Sequence, residues 1–149
     1  MGCWGRVVAA VLVALVAPAL AAAPRKAEPE RVTVQHILIG FKRSVPGKKI
    51  ERTKEQARAL AEELLKRAGS PADEGDFTRL VEQHTDDAAP GIYVLVNHDA
   101  PLVPGARNRG EMVERFGDVA FSLAVGEVGL AEYRAGSCPY GWHVIKRLE

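Results

Sequence analysis

Two short stretches at opposite ends of the chain, Arg31 to Phe41 and Trp142 to Leu148, alternate apolar and polar residues with a period of two. That is the pattern of β-strands, whose successive side chains leave opposite faces. In the first, Val32, Val34, His36 and Leu38 form the better core face, with Thr33, Gln35, Ile37 and Ile39 behind it. In the last, Trp142, Val144 and Leu148 oppose His143 and Ile145. The runs between them repeat their apolar residues at three and four, the helical period. Strands therefore stand at both ends, with helices between. Terminal strands often pair near the centre of a sheet, which would bring His36 and His143 together.

The intervening elements follow in order. Lys42 to Lys54 is a polar loop turning at Pro46-Gly47, with six basic residues against the single acid Glu51. It is either a solvated loop or an anion site for which Arg43, Lys48 and Lys49 are the candidates. Thr53 and Gln56 have the spacing of a capping box, and Ala57, Leu60, Ala61, Leu64, Leu65 and Ala68 make the stripe of a scaffold helix stopping at Gly69. Asp76 is expected to cap a shorter helix carrying Phe77, Leu80, Val81 and His84. Thr85-Asp86-Asp87 follows, a polar turn whose carboxylates can orient a histidine. Ile92 to Val96 is a short strand, Asn97 to Asn108 a Pro- and Gly-bearing loop, and Gly126 to Ala131 another strand.

Arg109 to Leu123 is a helical stripe of Met112, Val113, Phe116, Val119, Ala120 and Leu123. Gly110 before it and Gly117 within it are expected to break it, since glycine costs about 1 kcal/mol against alanine in a helix. A flexible methionine four residues before an aromatic, beside a break, is suited to lining a pocket.

Residues 1–23 read as an export signal: Arg6, an apolar run from Val7 to Ala17, then Ala-x-Ala sites at 19–21 and 21–23. The run is too short to span a bilayer, which takes about 20 residues. Residues 24–30 are a linker and 31–149 the folded domain, expected in the periplasm or secreted. Cleavage would leave Cys138 as the one cysteine, so no internal disulfide is available and the core alone must hold the domain. Basic and acidic residues number 20 and 19. That balance gives no case for nucleic acid as partner.

His36, His143 and Asp87 together admit three chemistries. They could bind zinc, Cys138 could be a nucleophile served by a histidine and Asp87, or the histidines could be a hydrogen-bonded pair beneath a pocket. Periodicity does not choose, and no HExxH or CxxC spacing is present.

Six ordered segments, VQHILIGFK, RTKEQARALAEELLKR, DFTRLVEQHTDD, RGEMVERFGDVAFSL, VGEV and GWHVIKRLE, resemble the parvulin family of peptidyl-prolyl cis-trans isomerases over residues 32–149. The resemblance implies an α+β, parvulin-like fold, a four-stranded, mostly antiparallel sheet surrounded by helices. It implies an isomerase acting non-covalently on X-Pro bonds of unfolded or extended polypeptides and assisting the folding of exported proteins, as a monomer without metal or other cofactor. His36 and His143 match the paired histidines, Asp87 the position that is Cys or Asp in the family, and Thr85 the small hydroxyl residue two before it. Met112 and Phe116 match the pocket for the proline ring. Tyr93 stands where the family usually has Leu.

This chain also departs from the pattern. GIYVLVN replaces GDLG-aromatic, and Asn97 to Asn108 is longer than the usual turn, giving a rim or lid. Ser137 or Cys138 falls near the hydroxyl residue that often supports the second histidine. Gly40 replaces the lysine of the phosphate-directed members. The departures leave an alternative, a non-enzymatic periplasmic chaperone or peptide-binding domain on the same fold.

Overall fold

The computed structural model describes Met1, residues 27–70 and residues 77–149. The export signal, the first residues of the linker and the Asp76 cap lie outside the described residues. The elements are β1 (Arg31–Ile39), α1 (Lys54–Ala68), α2 (Phe77–His84), β2 (Ile92–Val96), β3 (Ala106–Asn108), a 3-10 turn (Arg109–Glu111), α3 (Glu114–Ser122), β4 (Val128–Ala131) and β5 (Trp142–Arg147). The sheet has the order β3-β2-β1-β5-β4. All pairings are antiparallel except β2 with β3.

The expected α+β architecture is present, but the sheet has five strands, not four. The added strand is β3, the end of the stretch read as loop. Ala106, Arg107 and Asn108 pair in parallel register with Val94, Leu95 and Val96. Three residues after a Pro-Gly turn are too few to show alternation, so this pairing is a product of the tertiary fold.

β1 is central, and both its faces are covered. Ile37 and Ile39 pack with Ala57, Ala61 and Leu64 of α1, Phe77, Leu80 and Val81 of α2, and Trp142 and Val144 of β5. Val32 and Val34 pack on the other side with Leu95, Phe116, Ala120, Phe121 and Ile145. The expectation of one better face is corrected here, because helices close the sheet on both sides. Each such aliphatic side chain, fully buried, contributes about 1.5–3 kcal/mol. α1 begins as its sequence indicates. The Thr53 hydroxyl accepts from the Gln56 N–H at 3.2 Å, and the Gln56 side chain accepts from the Thr53 N–H at 2.8 Å.

The break in the stretch from Arg109 to Leu123 falls at Met112 and Val113, between the 3-10 turn and α3, while Gly117 is helical. Gly117 has a packing reason. A Cβ there would lie 2.9 Å from Cγ of Arg109, whose guanidinium bonds Glu28 at 2.6 Å and Asp118 at 2.7 Å and lies over the Phe121 ring. This clasp fixes the 3-10 turn against α3 and so sets where Met112 points.

Candidate active site

His36 and His143 lie on one face of the sheet because of the β1–β5 register. His36 faces Ile145 and Leu38 faces His143, so the histidines are diagonal neighbours on adjacent strands. Their Nδ1 atoms are 3.3 Å apart and both side chains are buried. The contact is one hydrogen bond between two rings, and no group of three or more His, Cys, Asp or Glu side chains placed to hold a metal ion occurs among the described residues. Phe116 meets both rings edge-on, at centroid distances of 5.2 Å and 5.3 Å.

Asp87 reaches the pair from the turn after α2, its Oδ2 3.4 Å from Nε2 of His36. The approach is long and off-line, so Nε2 has no hydrogen-bond partner of ordinary geometry among the described residues. Even so, the His36 imidazole is the main influence holding the Asp87 carboxyl down at about 2, against the opposing effect of burial. The Tyr93 hydroxyl donates to the same oxygen at 3.4 Å, and burial with the neighbouring carboxylate pushes its own pKa up. Burial above all pushes His143 down to about 3, so it is neutral at physiological pH. With Asp87 ionised, a proton on His36 Nε2 leaves His36 Nδ1 to accept. His143 Nδ1 then donates, and His143 Nε2, like its counterpart, has no hydrogen-bond partner among the described residues.

A cavity of about 330 Å³ opens above this floor. His36, His143, Asp87, Tyr93, Met112 and Phe116 all line it. Six of the seven residues expected at the catalytic and substrate sites therefore converge. The seventh, Thr85, is placed differently. Its hydroxyl accepts from the N–H of Leu38 at 3.1 Å and of Asp87 at 3.2 Å, so it ties the turn to β1 and does not line the pocket. Asp86 completes that anchorage, accepting from the Gly40 N–H at 2.8 Å and pairing with Arg52.

Gly91 also positions the floor. Its carbonyl accepts from the His36 N–H at 3.0 Å, its φ is 64°, and a Cβ would fall 2.7 Å from the His36 carbonyl oxygen. Only glycine lets the chain cross so close to His36 in that conformation.

Cys138 is not a nucleophile of this site. It is buried beneath α3, its Sγ–H donates to the Gly141 carbonyl at 3.3 Å, and burial raises its pKa to about 11. It therefore supports the backbone two residues before His143. Arg43, Lys48 and Lys49 are exposed. Their loop contributes Val45 and Pro46 to the cavity wall rather than any of the three cations. Val45, Pro46, Arg107 and Tyr140 were not legible as pocket residues. Each arrives from a loop or the short β3 by a long-range contact, and none carries a local pattern.

Residues 21–149 match the model of the family described as the PPIC-type PPIASE domain. Among solved structures, the solution structure of TbPIN1 superposes with a TM-score of 0.53 at 24% identity, covering 80% of this chain and 98% of that one. PrsA from Bacillus subtilis gives 0.45 at 23% identity, over 80% of this chain and 35% of that one. No curated protein matches.

Proposed function

The chain belongs to the PPIC-type peptidyl-prolyl isomerase family, and on that premise we propose how its residues divide the work. The protein is a peptidyl-prolyl cis-trans isomerase of parvulin fold, acting on peptides that contain proline. The observation that carries the residue roles is the His36–His143 pair lying directly under a cavity walled by Met112, Phe116 and Tyr93.

Rotation about an X-Pro bond breaks amide resonance against a barrier of about 18–20 kcal/mol and requires no bond to be made or broken. Catalysis therefore consists in binding the twisted amide better than either planar form. Met112, Phe116 and Tyr93 hold the proline ring and fix the axis of rotation. The twisted amide separates less charge than the planar one, so a pocket with an apolar wall and a neutral floor favours it. His143 keeps that floor neutral, since its pKa of about 3 leaves it uncharged.

Asp87 supplies a fixed negative charge at the edge of the pocket, oriented by His36 and Tyr93. Next to the substrate carbonyl, that charge raises the energy of the resonance form in which the oxygen is negative, which is the form rotation must give up. No covalent intermediate is needed. The clients are extended or unfolded chains, and the sequence pattern of residues 1–23 supports work outside the cytoplasm during the folding of exported proteins.

The test is isomerisation of a short X-Pro peptide in a protease-coupled assay. Turnover is expected, with kcat/KM falling about tenfold in Met112→Ala, whose side chain is only half-buried and whose melting temperature should change little. No turnover from the folded wild-type protein, with retained binding of unfolded polypeptide, would replace the isomerase by the peptide-holding alternative.

A further inference from the structure

β3 carries two arginines with opposite circumstances in and just beyond it. Arg109 is committed, bonded to Glu28 and Asp118. Arg107 makes no ion pair among the described residues. It is exposed, lines the cavity, and holds its guanidinium carbon 5.2 Å from the centroid of the Tyr93 ring. That contact places the cation over the ring, and the guanidinium's N–H donors, paired with no acid among the described residues, are available to a carboxylate. The backbone beneath is held in the sheet, with Arg107 in register with Leu95.

The charges around the cavity favour the same kind of ligand. Asp87 is engaged by His36 and Tyr93. Glu111 is the remaining acid of the wall and forms no ion pair with Arg107. Across the cavity, Val45 and Pro46 come from the loop carrying Arg43, Lys48 and Lys49, all exposed. An acidic side chain beside the substrate proline would therefore meet, at Arg107, the one cation of the cavity wall, without an ion-pair partner among the described residues and held over Tyr93.

We infer that Arg107 is a specificity-determining residue that selects substrates with an acidic side chain next to the isomerised proline, through its guanidinium held on Tyr93. This rests on the isomerase reading and adds a substrate class to it. Arg107 reaches the cavity because the stretch 97–108 returns to pair with β2, so the preference belongs to β3.

The experiment uses the full chain and peptides with Glu, Gln or Lys placed before or after the proline. At low salt, kcat/KM for the better-placed Glu peptide should exceed that for its Gln counterpart about fivefold, the size expected of a partly exposed pair, and the difference should appear in KM. The ratio should fall to about one in Arg107→Gln, reverse toward Lys in Arg107→Glu, and rise in Glu111→Gln. Equilibrium titration of the same peptides, followed by intrinsic fluorescence, reads the selectivity independently of turnover. A Glu-to-Gln ratio of one at both positions, or a ratio unchanged by Arg107→Gln, overturns the inference. Selective binding without turnover would instead overturn the isomerase reading and leave the acidic preference standing.

Discussion

Acid should weaken this fold through His143, and by a calculable amount. In the folded protein burial holds its pKa near 3, against 6.5 for the free side chain. Between those values the unfolded chain binds a proton that the folded chain refuses. Stability therefore rises with pH across that window, and it is lost as pH falls below 6.5. At pH 5 the unfolded state is favoured by 1.5 pH units of proton binding, about 2 kcal/mol at 1.36 kcal/mol per unit. For a domain stable by 5–15 kcal/mol that is a large share. Urea unfolding at pH 7.5 and pH 5.0 measures it, and with a slope of about 1–3 kcal/mol per molar the midpoint should drop by about 1 M from this residue alone. The control is His143→Asn, whose amide occupies the place of Nδ1 and can keep the bond to His36. Its cavity cost is independent of pH, so only the slope between the two pH values should change, by about 2 kcal/mol. Equal losses in wild type and variant would show that burial does not lower the His143 pKa and that the floor takes up a proton by pH 5.

Three further outcomes follow from the packing. Phe116→Leu keeps an apolar side chain but loses the edge-on contacts to both histidines; kcat/KM should fall about tenfold for a stability loss of about 1 kcal/mol, read by peptide assay and urea titration together, and unchanged turnover would remove Phe116 from the ring site. Cys138→Ser retains a donor to the Gly141 carbonyl and should keep turnover within about twofold, while the native thiol, held near 11, should alkylate slowly; a folded but inactive serine variant would restore the thiol to the chemistry. Gly141→Ala would place a Cβ 2.1 Å from the Ile39 carbonyl oxygen at a φ of 145°, and should cost more than about 3 kcal/mol. A near-neutral melt would mean that the β1–β5 end yields freely.

Elements whose pattern is local were legible in the sequence. The Thr53 cap, the α1 stripe and the alternation of β1 and β5 all belong to neighbouring residues. The break before α3 was legible at Gly110 but its position was not: it falls at Met112 and Val113, because helical spacing runs unbroken across a turn that is not α-helical. Gly117 misled for a related reason: its need is set by Arg109 packing across it, not by the backbone it sits in. At the site, residue types and resemblance pointed to the histidines, Asp87, Met112, Phe116 and Tyr93. Arg107, Val45, Pro46 and Tyr140 escaped, since only the folded chain brings them to one wall. Thr85 was legible as a neighbour of the site but not as a brace, because hydroxyl chemistry alone does not say which backbone N–H it will satisfy.

The two-sided burial of β1 has a consequence for how this chain can change over evolutionary time. His36 and Ile37 are adjacent in sequence, yet one serves the cavity and the other the scaffold. Substitutions can explore either face separately, so substrate preference can drift without rebuilding the support beneath. Insertions and deletions have no such freedom, because shifting the strand by one position would exchange the two faces throughout. Diversity is therefore expected to accumulate as altered letters within β1 and as altered length in the loops around it, such as the stretch that ends in β3.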